Sequence, residues 1–88
     1  MKARKGEVIV ELWQISKENK NPPSWVEEAF EGHQIRWGGP QTGFDDKLLQ
    51  LSGGWIINFG KIGDYLEFDR GKFTIISEKR FKKDYSQV

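Results

Sequence analysis

Cysteine is absent from the chain, and histidine occurs once, at His33. Without cysteine there is no disulfide framework, on which small secreted domains often depend, so a reducing compartment is expected. One histidine and no thiol leave too few soft ligands for a transition-metal site. Long apolar runs are also missing: nothing approaches the roughly 20 residues of a membrane span. The basic start, Met1-Lys2-Ala3-Arg4-Lys5, runs into a strand-like segment rather than a signal-peptide apolar region. The expected location is cytoplasmic, with no membrane partner. Phosphate-binding loops are absent too. Gly38-Gly39 and Gly53-Gly54 lack the GxxxxGK[ST] and GxGxxG contexts and read as turns. No calcium-loop spacing occurs, and no cofactor is implied.

What is present is aromatic bulk. Hydrophobic residues make up 36% of the 88 positions, but aromatic residues alone make up 14%. Each buried ring removes roughly 150–250 Å² from water, so a few rings can close a small core. The length implies a single domain, 1–88, with one modest core. Ten glycines, several at turn-like positions, favour a β-rich fold over a helix bundle.

The central stretch, Gly53 to Ile76, reads as strands punctuated by glycine. Trp55-Ile56-Ile57-Asn58-Phe59 is β-branched and aromatic. Gly60 to Asp64 reads as a turn with positive-φ options at its two glycines. Tyr65-Leu66-Glu67-Phe68 alternates, with Leu66 and Phe68 on one face. Asp69 to Lys72 is a hairpin connection with Gly71 at positive φ, and Phe73 to Ile76 returns. The expectation is a three-strand meander.

Before it, Glu7 to Gln14 carries apolar residues on both faces, which predicts a strand inside the sheet. Ser16 to Asn21 is a polar loop. A short helix over 23–31 follows. Ser24 and Glu27 have capping-box spacing, Gly32 is placed to supply a left-handed stop, and Trp25, Val26, Ala29 and Phe30 form one apolar stripe. His33 to Trp37 and Lys47 to Leu51 read as strands. Between them, Gly38 to Asp46 reads as the least ordered stretch, in which Phe44 either anchors the loop or meets solvent. Ser77 is a candidate N-cap for a closing helix, Glu78 to Asp84, with Phe81 and Tyr85 facing the core. The last three residues are expected to fray. The fold class is therefore α+β: a mainly antiparallel sheet of about five strands, one covering helix and a short C-terminal helix.

The net charge is +1, but the charges are segregated. Residues 1–5 carry three basic groups and no acid, residues 6–68 five basic against ten acidic, and residues 69–88 six basic against three acidic. If the first strand lies beside the last, the basic ends merge. Arg70, Lys72, Lys79, Arg80, Lys82 and Lys83 are the candidate nucleic-acid contacts, with Phe81 and Tyr85 as stacking surfaces. The competing reading is a solvated helix face with both rings buried. It is favoured because the overall charge falls far below a typical nucleic-acid footprint. Trp37, Phe44 and Trp55 flank the glycine-rich loop. They form a protein-binding patch if exposed together, or the tryptophans complete the core; the sequence leaves both open.

No catalytic residue stands out. His33, beside Gly32 at a helix end, reads as a dipole partner or solvated side chain. Asp45-Asp46, Asp64, Glu67 and Asp69 read as solvated turn and strand residues rather than paired acid–base groups. The chain is not expected to be an enzyme.

The order of features resembles a group of small tailed-phage and prophage proteins of unknown function. The matching residues are Lys2, Arg4, Lys5, Val10, Glu11 and Gln14, then Pro22, Pro23 and Trp25. They continue with Gly63, Asp64 and Tyr65, then Gly71, Phe73, Phe81 and Tyr85. The likeness spans most of the chain and is most specific in the last 26 residues. Where the group often has Tyr-Pro-Cys after the hairpin Phe, this chain has Thr74-Ile75-Ile76. The resemblance implies a phage or prophage origin, a bacterial host cytoplasm, and a phage or host protein as partner. It implies no activity. The function expected is a non-enzymatic protein-binding or accessory module, with nucleic-acid binding through the basic ends as the alternative.

Overall fold

The structure, a computed structural model, describes residues 1–18, 21–53 and 56–87, the side chain of Ile56 excepted. The elements run β1 (Lys2–Lys5), β2 (Val8–Gln14), α1 (Ser24–Glu31), β3 (Ile35–Gly39), β4 (Phe44–Gly53) and β5 (Ile56–Lys61). They continue with β6 (Tyr65–Asp69), β7 (Lys72–Ile76), α2 (Glu78–Asp84) and β8 (Tyr85–Gln87). The fold is α+β and its strand pairings are antiparallel, as expected. The single sheet of about five strands is corrected to two sheets: a five-stranded one ordered β7-β6-β2-β1-β8, and a three-stranded one ordered β3-β4-β5.

β2 lies at the centre of the larger sheet, as its two-sided apolar pattern required. Its faces feed different cores. Trp13 joins Ile15, Leu66, Val26, Ala29, Ile35, Leu49 and Leu51, so α1 and the smaller sheet cover that side. Val10 and Leu12 join Ala3, Tyr65, Ile76 and Tyr85 on the other side, where Phe81 of α2 packs.

The expected meander is split. β6 and β7 pair through a two-residue turn with Arg70 at φ 53° and Gly71 at φ 82°. Two successive positive φ angles match the right-handed twist of the strands they join. β5, however, pairs with β4. The chain changes sheets at a corner built on Asp64, which is buried. One carboxylate oxygen accepts from the Lys61 N–H at 3.1 Å, and the other from the Glu78 N–H at 3.2 Å. The corner is tied to β2's end by Ile15 N–H to Asp64 C=O at 2.8 Å and Gly63 N–H to Ile15 C=O at 3.1 Å. Gly63, at φ 102°, supplies the turn's positive φ. Gly60 does not: it lies inside β5, where a Cβ would fall 2.6 Å from Ile15 Cδ1.

Other differences are local. The basic start itself forms a strand, Lys2–Lys5, which Gly6 at φ 62° turns back onto β2. Ser86 and Gln87, expected to fray, belong to β8 beside β1. The Gly38–Asp46 loop shrinks to a turn over 40–43 between β3 and β4. It is pinned by Thr42, whose hydroxyl accepts from the Gly39 N–H and donates to the Gly39 carbonyl. Helix α1 keeps its apolar stripe but not its capping box: Pro23 occupies the N-cap without a side-chain bond, and Ser24 is already helical. The left-handed residue after it is His33, φ 60°, rather than Gly32. Ser77 caps α2 as predicted, its hydroxyl accepting from the Arg80 N–H at 3.1 Å. Among the described residues, no helix is long and apolar enough to cross a membrane.

Candidate functional site

The basic ends do merge. β1 pairs with β8, opposing Arg4 to Ser86 and Lys5 to Tyr85. The candidate cations then divide. Lys72 and Arg80 line a polar depression of about 330 Å³ with Lys5, Glu67, Asp69 and Thr74. Lys79, Lys82 and Lys83 stand exposed on α2, and Arg70 sits at the β6–β7 tip with its guanidinium 3.8 Å from Asp69. Arg80 also pairs with Asp84 at 3.5 Å, one turn on. The depression therefore mixes three cations with two carboxylates and is not a field of one sign.

The rings that would stack bases are turned inward. Phe81 lies 4.1 Å from the Tyr65 ring and 5.6 Å from the Tyr85 ring, centroid to centroid. The Tyr85 hydroxyl donates to Glu67 Oε1 at 2.5 Å. Burial first, then this bond, raise the Tyr85 hydroxyl's pKa well above its ordinary value. Burial also raises that of Tyr65, with Glu78 adding to it. Tyr85 is thus buried and Phe81 half-buried, while Lys79, Lys82 and Lys83 on the same helix are exposed.

Trp37 and Phe44 do not share a patch. Trp55 lies outside the described residues. Trp37 points into the core, packed on Phe30 at 6.4 Å between ring centroids, with the Lys17 amine 4.8 Å from its ring. Phe44 is on the opposite face of the same sheet. It lies across Gly38, where a Cβ would strike its ring, and meets Phe59 edge-on at 5.1 Å.

That outer face is the surface the sequence reading missed. β4 and β5 pair in unbroken register, opposing Leu48 to Lys61, Gln50 to Phe59 and Ser52 to Ile57. On the inner face, Leu49 and Leu51 oppose Gly60 and Asn58. On β5, Gly60 is thus buried on the inner face and Asn58, in register with Leu51, is exposed, while Ile57 and Phe59 point out. Gly60 is the cause. Its missing side chain makes room for Ile15 and Ile75, so the neighbouring strands fill the core from below. Ile57 is 56% exposed and Phe59 48%. With half-buried Phe44 and Leu48 they make an apolar strip, bounded by Arg36, whose guanidinium donates to buried Gln50 at 2.5 Å. Spacing alone carries only a faint signal of this: in IINFGK, Ile57 and Phe59 share one face, while Gly60 shares the other with Ile56 and Asn58.

The remaining chemical candidates do not converge. His33 is exposed. Asp45 is engaged locally, its carboxylate accepting from the Lys47 N–H at 2.8 Å. Among the described residues no group of three or more His, Cys, Asp or Glu could hold a metal. Compared with known proteins, the chain matches no family model, no curated protein and no solved structure.

Proposed function

We propose that the chain is a non-enzymatic protein-binding or accessory module, of phage or prophage origin, that docks through the outer face of the β3-β4-β5 sheet. The observation that carries this reading is β5: two large apolar side chains face solvent on a regular strand at a sheet edge. Apolar groups held in water have no folding role to explain them, and contiguous exposed apolar surface marks interaction sites.

The test is a comparative capture from lysate of a lysogenic bacterial host. Wild type is set against Ile57→Ser/Phe59→Ser, two exposed positions whose change leaves the core intact. Proteins retained by wild type and lost with the double variant are the expected result. An identical set on both baits would overturn the reading.

The junction of the two basic ends by β1–β8 pairing supports a second reading, nucleic-acid binding. It expects a low-salt mobility shift that fades steeply with salt and is lost on Lys79/Arg80/Lys82/Lys83→Ala. No shift at low salt would remove it.

A further inference from the structure

Four sheet edges are open among the described strands: β7, β8, β3 and β5. Proteins generally protect such edges with short length, charge, proline or bulges. β8 is three residues long. β3 shifts register between Trp37 and Gly39, and Pro40 follows. β7 opens with exposed Lys72, and its Phe73 and Ile75 pack against the main core. β5 has none of these devices along its centre. It is six residues long, pairs with β4 at every position, and carries its one charge, Lys61, at the end.

We infer that β5 pairs antiparallel with β5 of a second copy of this chain, joining two three-stranded sheets into one of six strands. The inference rests on the docking reading above and names its occupant. The strand's own sequence is the argument. A two-fold axis through Asn58 opposes Ile57 of each copy to Phe59 of the other. Each exposed apolar residue thereby gains a lateral apolar neighbour, in two symmetric cross-strand pairs of aromatic with β-branched side chain. The two Lys61 charges then lie six residues apart along the strands, about 20 Å, beyond the Debye length of about 8 Å at physiological salt. Moving the axis to Phe59 opposes Lys61 to Ile57, and moving it to Gly60 opposes Lys61 to Phe59. The Asn58 register alone of these three keeps Lys61 clear of both Ile57 and Phe59 and pairs those two with each other. The Phe44 rings extend the apolar strip on both flanks of the new seam, and the face stays continuous because both copies present it on the same side.

The experiment is sedimentation velocity on the purified chain over a concentration series up to about 1 mM. Wild type is compared with Ile57→Glu, with Phe59→Lys, and with an equimolar mixture of the two. Both substitutions are at exposed positions, and circular dichroism checks that each variant keeps the wild-type spectrum. Wild type is expected to dimerise with rising concentration. Each variant alone opposes a charge to an apolar residue at both symmetric positions. That weakens self-association roughly 100-fold, a factor of ten for each position. In the mixture, the introduced glutamate meets the introduced lysine across one pair while the other pair stays apolar, so a heterodimer returns. A wild type that stays monomeric throughout overturns self-pairing, while a partner captured in the lysate experiment would leave the docking face standing. A dimer unmoved by either substitution, or a mixture no stronger than its components, overturns the β5 seam.

Discussion

Replacing Tyr85 by Phe removes one hydroxyl and leaves the ring stacked on Phe81. The hydroxyl is the 2.5 Å donor to Glu67, a carboxylate residue only 7% exposed. A buried acceptor that loses its donor costs about 1–3 kcal/mol. Lys5, Lys72 and Arg80 line the same depression and can turn toward the carboxylate. Their presence places the expected loss at the low end, about 1–2 kcal/mol. For a chain of this length 1 kcal/mol moves the Tm by roughly 4–8 °C, so Tyr85→Phe should melt about 4–16 °C below wild type. Removing both partners together, as Tyr85→Phe/Glu67→Leu, should cost less than the two single changes summed, because neither polar group is then stranded. Alkaline pH gives an independent readout. The Tyr85 hydroxyl ionises above its ordinary pKa of 10.0 in the folded chain. Its contribution is therefore complete below about pH 10 and is lost as pH rises through and beyond that value. Tyr65 is shifted in the same direction, so Tyr85→Phe should lessen the alkaline loss without abolishing it. Thermal melts and urea titrations at neutral and alkaline pH measure all of this. A Tyr85→Phe chain that melts with wild type, or single costs that simply add in the double variant, would refute the account of Glu67 as a buried acceptor held by Tyr85.

Two further substitutions probe how β5 is placed. Gly60→Ala puts a Cβ 2.6 Å from Ile15 Cδ1 and 3.1 Å from Ile75 Cγ2, an overpacking expected to cost about 1–3 kcal/mol. Gly39→Ala, with nothing within 4 Å of the added atom, should stay within about 0.5 kcal/mol in the same urea titration; equal costs at the two sites would remove Gly60 as the reason the sheets approach. Asp64→Ala strips the acceptors from the Lys61 and Glu78 N–H groups, a loss of about 1–3 kcal/mol. Amide exchange at those two positions should quicken, with Asp64→Asn recovering part of the protection; unchanged exchange would show that the corner does not depend on the side chain.

The elements whose signals are local were legible. The apolar stripe of α1, the Ser77 cap of α2, the Gly71 hairpin and the two-sided pattern of β2 each come from residues adjacent in sequence, and each is found. The failures share a different cause. Lys2–Lys5 becomes a strand because Ala3 packs in the α2-side core and Gly6 turns the chain onto β2. Ser86 and Gln87 become a strand only because β1 is there to pair with them. His33 takes the left-handed position that glycine propensity assigns to Gly32. The expected capping box is absent because Pro23, which has no side-chain acceptor, takes the N-cap and Ser24 is already the first helical residue.

The same distinction explains why the candidate surface was misread. Sequence periodicity assigns the apolar alternate of a strand to the core, and for Ile57 and Phe59 that rule points the wrong way. What reverses it is not in β5 at all. Ile15, beyond the end of β2, and Ile75, on β7, reach into the space above Gly60 and fill the core there. A side chain at position 60 would compete with them, and a strand turned over would place Phe59 where Gly60 now fits. Once the core is full from below, the only face left for the strand's apolar pair is the outer one. Folding therefore accounts for Gly60 and for the position of β5, but not for the choice of isoleucine and phenylalanine on its solvent side. Polar residues there would satisfy every contact described for the interior. The identity of those two residues is left unexplained by folding, and an interface is the physical role that two exposed apolar side chains on a bare strand edge can fill.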